Sequence, residues 1–287
     1  MQKILLFIAS LFYFNFLFSK NEIKSWQGIH ETPLSRLEQQ FAEPPVEFAN
    51  HVIWGWEGKM DKKTICNDLD SIKKKGFRAV IFEAGYKLPF KYLSEEWFKA
   101  IRTGVLEAKK RGMKVWIIDE GKYPSGFAGG KFSQERPDLR MQALVIGDTI
   151  QIKRGEVMTN HKIAPEIISA VAVSTSGAPN RTVEINNGKI SFNAGLDDWK
   201  ILLVKSDFRT AVTRAVNNPN GGKDATNSLC DYLNPVAVQQ FIDWTHKQYK
   251  KYLGKELGTT VLGFRGDEPD YAHLPWTPSI VQTFKDT

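Results

Sequence analysis

The chain has 287 residues, 42% hydrophobic and 25% charged, which excludes a disordered polar segment and allows a sizeable buried core. Its net charge of +7 comes mostly from scattered Lys, and the one dense run, Lys73-Lys74-Lys75, closes a predicted helix, where cations suit the helix dipole. With no basic stripe interleaved with aromatics, nucleic-acid binding has no support.

Met1-Gln2-Lys3 is a short basic start, and Ile4 to Phe18 form an apolar run of about fifteen residues, the size of a signal-peptide core. A membrane span needs about 20 apolar residues, and Asn15 interrupts this one, so residues 1–19 are expected to be an export signal ending at the small Ser19. Export to the periplasm or beyond, without stable membrane insertion, follows from that reading. Cys66 and Cys230 lie far apart and show no zinc or redox spacing, and their pairing stays open.

Residues 20–50 form a polar lead-in without a clear periodic element, ending in Glu43-Pro44-Pro45. His51-Val52-Ile53-Trp54-Gly55-Trp56 follows as a strand with both Trp side chains on one face. Asp61 caps a helix through Lys75, with Ile65, Leu69 and Ile72 at helical spacing and Gly76 as its stop. A second strand, Phe77 to Glu83, precedes a helix opened by Ser94 that runs to Arg111. The third strand, Met113 to Glu120, ends in Asp119-Glu120. Successive strand–helix units argue for right-handed βαβ connections and a parallel sheet. The competing doubly wound fold lacks its Gly-rich phosphate loop here.

Gly121 to Gly130 is a Gly-rich loop with Tyr123 and Phe127 on either side of Pro124-Ser125-Gly126, suited to shaping a cleft. From Met141 to Asp207 short β runs alternate with turns, and Asn187-Gly188 is a strong hairpin signal. The segment reads as a small antiparallel domain inserted in the barrel. Residues 208–231 are loop-like, with Asn217-Asn218-Pro219-Asn220-Gly221-Gly222. Asn234-Pro235 then opens a helix through Phe241, Trp244, Tyr249 and Tyr252 to Gly254.

The apolar run Val261-Leu262-Gly263-Phe264 reads as a fourth strand, and it leads into Asp267-Glu268-Pro269. Acids at several strand tips suit a (β/α)-barrel, whose catalytic face lies at the strand C-termini. Glu268 is the expected proton donor, kept protonated by an apolar wall from Phe264, with Asp267 its electrostatic neighbour. Acid–base catalysis by carboxyls calls for a second such group, and Glu83, Asp119 and Glu120 are the alternatives for catalysis or for binding substrate hydroxyls. Trp54, Trp56, Tyr123 and Ser125 are further candidate substrate contacts. Eight Trp among 12% aromatics are compatible with sugar stacking, though core packing explains them equally. His246 is a candidate to line the cleft.

Several ordered motifs resemble the bacterial glycoside hydrolases grouped with α-L-rhamnosidases, family 106 and its relatives. They are Trp54-Gly55-Trp56, Tyr92-Leu93-Ser94-Glu95-Glu96-Trp97, and the run from Gly112-Met113 to Tyr123-Pro124-Ser125-Gly126 and Gly129-Gly130. The last is Asp231-Tyr232-Leu233-Asn234-Pro235 with Phe241, Thr245-His246 and Tyr249, then Gly263-Phe264 and Asp267-Glu268-Pro269. The resemblance implies a secreted (β/α)-barrel that hydrolyses a terminal sugar from an oligosaccharide or polysaccharide. It also implies Glu268 as general acid, and it admits a calcium ion whose ligands do not map here. Arg265-Gly266 departs from the relatives' aromatic or small polar residues at that place.

Only four barrel strands are found, in units 51–140 and 208–287 around the insert at 141–207, where a closed barrel needs about eight. The expected fold class is therefore α/β, the N-terminal half of a (β/α)8 TIM-type barrel, with the C-terminal half missing. The alternative function is a secreted glycan-binding or degenerate fragment without chemistry.

Overall fold

A computed structural model of the protein describes residues 33–43, 50–211, 214–215, 228–269 and 274–286. The expected export signal, Pro44-Pro45, the Asn217–Gly222 loop and Asp270-Tyr271 lie outside the described residues. Residues 1–49 and 50–287 form two separate compact units. In the first, Leu34–Ala42 is a helix, α1, so the lead-in does hold a periodic element. Its apolar residues Leu34, Leu37 and Phe41 recur at three- and four-residue steps, and all are exposed.

The second unit opens with β1 (His51–Trp56), α2 (Lys62–Lys74), β2 (Ala79–Ala84), α3 (Glu95–Lys110) and β3 (Lys114–Ile118). Asp61 Oδ1 accepts the Thr64 N–H at 2.9 Å and Ser94 Oγ accepts the Trp97 N–H at 3.3 Å, so both predicted caps start their helices. Next come the short strand β4 (Lys122–Tyr123) and the short helix α4 (Lys131–Glu135). An antiparallel region follows, from β5 (Gln142–Ile152), β6 (Val157–Lys162) and β7 (Ile167–Ser174) to β8 (Arg181–Val183), β9 (Ile185–Asn186), β10 (Lys189–Asn193) and β11 (Trp199–Phe208). Beyond it lie β12 (Arg214–Ala215), α5 (Pro235–Trp244), α6 (His246–Leu253), β13 (Val261–Arg265), β14 (Pro275–Trp276) and α7 (Ile280–Asp286).

The fold is α/β. Strands β1, β2, β3 and β13 pair in that order, all parallel, into a four-stranded sheet. Alternation along β1 to β3 sends one set of side chains to the helices, and a register shift between Val261 and Gly263 brings both Val261 and Phe264 of β13 to the same layer. Val52, Trp54 and Trp56, then Val80, Phe82 and Ala84, then Val115 and Ile117, and finally Val261 and Phe264 pack on Ile65 and Leu69 of α2. The same layer holds Trp97, Ile101 and Val105 of α3 and Tyr249 and Leu253 of α6. Burial of each large side chain contributes roughly 1.5–3 kcal/mol. Ile53 and Gly55 of β1 and Glu83 of β2 take the opposite face, where Ile53 stays 46% exposed.

The antiparallel region makes a five-stranded sheet, β14-β5-β11-β7-β8, and a three-stranded one, β6-β10-β9, around a core of Ile152, Val183, Ile190, Phe192, Trp199, Ile201 and Leu203. The expected hairpin at Asn187-Gly188 joins β9 to β10, with both residues at positive φ (50° and 69°), as a type I′ turn requires. The sequence suggests separate runs at 143–146 and 149–152, but these are one strand. The pairing skips Gly147 opposite the Leu203–Val204 step, so the residue that looked like a break is a bulge. The sheet also takes β14 from beyond β13, so its strands are not confined to 141–207.

The helix expected from Asn234 to Gly254 is two helices. Thr245 leaves helical geometry (φ −115°, ψ −85°), and its Oγ donates to the Phe241 carbonyl at 2.6 Å, satisfying an acceptor at the end of α5. Both cysteines are free thiols, Cys230 buried and Cys66 half-buried. No helix among the described residues is long and apolar enough to cross a membrane.

Gly104 of α3 marks the tightest helix–sheet contact. A β-carbon there would lie 2.9 Å from the Phe82 ring and 3.1 Å from Trp56. Alanine gains about 1 kcal/mol of helix propensity, yet overpacking costs typically 1–3 kcal/mol. Gly104→Ala is therefore expected to lower stability by up to about 2 kcal/mol, read as a lower urea midpoint at unchanged slope.

Candidate functional site

The tips of β3 and β13 are tied together by one side chain. The Ser125 Oγ donates to Asp119 Oδ1 at 2.7 Å and accepts the Asp267 N–H at 2.6 Å, while the Ser125 N–H donates to the Asp267 carbonyl at 2.9 Å. The Asp119 N–H continues the strand ladder onto the Arg265 carbonyl. Ser125, expected to touch substrate, is instead 7% exposed and acts as a clamp between two acidic strand ends. The Tyr232 hydroxyl donates to the Ser125 carbonyl and fixes the clamp from the far side. A β-carbon on Gly126 would come within 2.5 Å of that hydroxyl oxygen, so a residue without a side chain is required there.

Glu120 organises the loop behind the clamp. It is fully buried, and its carboxyl accepts backbone N–H groups from Gly121 at 2.6 Å, Ala128 at 2.5 Å and Gly129 at 2.9 Å. The Gly-rich loop therefore wraps a carboxyl of its own chain, and Glu120 is not offered to a sugar as expected. Burial pushes this carboxyl up to about 8, against the three N–H donors, which favour the ionised form.

Asp119 differs from it. Burial raises its carboxyl above the usual range, while the Ser125 hydroxyl and His246 lower it, and the nearby Asp267 raises it. Its side chain keeps 13% exposure. A β-carbon on Gly266 would lie 3.5 Å from Ser125 Oγ and 4.0 Å from Asp119 Oδ2, so the backbone after β13 runs close beside both side chains. His246, the first residue of α6, places Nε2 4.0 Å from Asp119 Oδ2. Its ring packs on Phe264 (centroids 4.5 Å apart) and Phe241 (5.7 Å), and burial lowers its proton affinity while Asp119 raises it.

The other predicted residues divide by strand face. Glu83 is half-buried at the tip of β2, beside Gly55, on the face away from the helices. Trp54 and Trp56 share a face as expected, but it is the helix-packed one. Trp56 is fully buried against Phe82 and Trp97, and Trp54 packs beside it, so neither indole is presented to a ligand at the strand tips. Tyr123 sits half-buried on β4, paired with β12 just before a cis Tyr123-Pro124 bond. Asp267 is half-buried and Glu268 exposed. Phe264 is turned to His246 and Tyr249, so the apolar wall expected around Glu268 is not built from it. Glu268 adopts φ +34°, a region few non-glycine residues occupy, and such outliers gather at functional sites.

The arrangement gathers carboxyls from separate strand tips, one held back from solvent and another exposed, with an imidazole beside the first. Among the described residues no group of three or more His, Cys, Asp or Glu is placed to hold a metal ion.

No protein-family model matches the chain, and no curated protein matches it. Among solved structures it is similar to the rhamnosidase from Novosphingobium sp. PP1Y, with a TM-score of 0.58 at 12% identity over 89% of this chain. The chain spans 41% of that protein's length. The class so defined is an α/β protein with a rhamnosidase-like fold.

Because Glu120 gains protons on folding, stability is expected to fall as pH rises from its ordinary value near 4.5 through about 8. Glu120→Gln should flatten that dependence. It should also cost about 1–3 kcal/mol at low pH, where an amide NH₂ meets a backbone N–H. Urea denaturation of both forms across this pH range checks both effects.

Proposed function

We propose that the chain is the N-terminal half of a (β/α)8 glycoside hydrolase related to the family 106 α-L-rhamnosidases, exported from its cell and cleaving a terminal sugar from a glycan. The observation that carries this reading is the clamp of Asp119 and Asp267 by Ser125, which brings acids of two parallel strand tips to one place, with Glu268 next in line. Support comes from the rhamnosidase-like fold and from the position of the acids at strand C-termini, where barrel enzymes do their chemistry.

In this reading Asp119, just after β3, and the pair Asp267-Glu268, after β13, divide the work of protonating the leaving oxygen and of attacking or activating water. Glu83 binds sugar hydroxyls from the neighbouring tip of β2. Residues 141–207, with β14, form an inserted β domain. The other four strands of a closed barrel would come from polypeptide beyond these residues.

The glycan-binding alternative is favoured by one observation: Glu268, the acid on which the resemblance centres, is exposed and lacks its expected apolar wall. The two readings part on hydrolysis of an aryl α-L-rhamnoside by the protein as its cells make it. In a hydrolase, Glu268→Gln is expected to lower turnover about 10²–10⁴-fold and to leave oligosaccharide binding, followed by calorimetry, within about threefold. Equal binding by both forms with no turnover in either would sink the hydrolase reading.

A further inference from the structure

The hydrogen-bond chain through Thr245 determines which nitrogen of His246 carries a proton. Thr245 has one hydroxyl hydrogen. Its Oγ lies 2.6 Å from the Phe241 carbonyl oxygen, which can only accept, so the hydrogen is committed there. The same Oγ lies 2.9 Å from His246 Nδ1 and can therefore only accept from an Nδ1–H. The neutral ring must then be the Nδ1–H tautomer, with a bare lone pair on Nε2. That lone pair faces Asp119 Oδ2 at 4.0 Å, while Oδ1 is occupied by the Ser125 hydroxyl. Two acceptor atoms, one anionic, oppose each other across this gap until a proton joins one of them.

We infer that Asp119 and His246 form a proton-holding pair, carrying one proton at Asp119 Oδ2 or His246 Nε2, and that this pair is the proton donor of the site. The groups that bear on it are few. Asp267 after β13 acts on Asp119, as do the His246 imidazole and the Ser125 hydroxyl. Glu120 and Cys230 lie behind it, with the buried hydroxyls of Tyr92 and Tyr249. Phe241 and Phe264 wall the imidazole, and Thr245 holds its Nδ1. The Asp119 side chain keeps 13% exposure, so the pair is not sealed from solvent.

The role as donor rests on the hydrolase reading. As the bond from the sugar carbon to the leaving oxygen breaks, its electron pair stays on that oxygen, which takes the pair's proton. The water that adds to the sugar carbon releases a proton, and the site is restored when the pair regains one. Glu268 is left for the ionised task of activating that water.

The pair is tested without turnover by following the His246 ring nitrogens by ¹⁵N NMR during a pH titration of the full chain. The neutral ring should show Nδ1–H, and Asp119→Asn should weaken proton binding by His246 at least about tenfold, the effect of removing an anion at this range. An Nε2–H tautomer in the neutral ring, or a midpoint that Asp119→Asn leaves in place, would overturn the pair. Thr245→Val gives a second reading should Asp119→Asn not fold: loss of the Nδ1 acceptor should move the neutral proton to Nε2, and no change would also overturn it. The donor role is read from the pH profile of aryl rhamnoside turnover. Its alkaline limb should move about one unit toward acid in Asp119→Asn. An unmoved limb would refute the donor role, whereas no turnover by the wild type would refute the hydrolase reading and leave the titration to decide the pair.

Discussion

A fully buried carboxyl is among the most costly groups a fold can hold, and the strand-tip region is arranged around one. Glu120 is accommodated because the loop from Gly121 to Gly130 supplies three backbone donors to it. Those contacts determine the loop's path, the path places Ser125, and Ser125 joins Asp119 to Asp267. The loop's glycines read the same way: Gly126 must leave room for Tyr232, and Gly129 gives a backbone N–H to the carboxyl. A Gly-rich loop that could cradle a ligand here cradles a carboxyl of the protein's own, and its function is exerted one residue away, on Asp119.

Two adjacent carboxyls therefore have different chemistry because of where the chain turns. Glu120 is sealed off and serves as scaffold. Asp119 is largely buried but keeps 13% side-chain exposure, with an imidazole across from it. Burial raises both, yet only Asp119 retains an approach for a ligand. The acid expected to be shielded, Glu268, is the exposed one. The inferred proton-holding pair would put proton-donating character at the end of β3, where the sequence pointed to the end of β13.

Much of the architecture was legible in the chain because it depends on local rules. Short apolar runs marked β1 to β3 and β13, side-chain caps at Asp61 and Ser94 marked α2 and α3, and Asn187-Gly188 marked its hairpin. What stayed hidden depends on tertiary choice. Alternation places Trp54 and Trp56 on one face but does not say which face meets the helices, and three helices cover theirs. Nothing in the Asp119-Glu120 dipeptide tells that the second side chain turns inward. The break at Thr245 looked like continuous helix, because a threonine that bonds back to the i−4 carbonyl leaves no mark in apolar spacing. That break is what starts α6 at His246 and brings it to Asp119.

The parallel sheet bears on how the site would be completed. Helices cover one of its faces, while on the other Ile53 is 46% exposed and Trp116 only half-buried. Both β1 and β13 are edge strands of this sheet. Parallel sheets are ordinarily buried on both faces, and unpaired edges invite further strands. In a closed barrel the face bearing Ile53, Gly55 and Glu83 becomes the packed interior, and β13 gains a neighbour on its free side. Asp267 and Glu268 follow β13, at the edge where that neighbour would pair. Closure would then bring new side chains up to these two acids first, while the Asp119 pair, one strand further in and already walled by Phe241 and Phe264, would change least. The geometry of the proton-holding pair is thus set by the strands already present, and the surroundings of Glu268 are what added strands would decide.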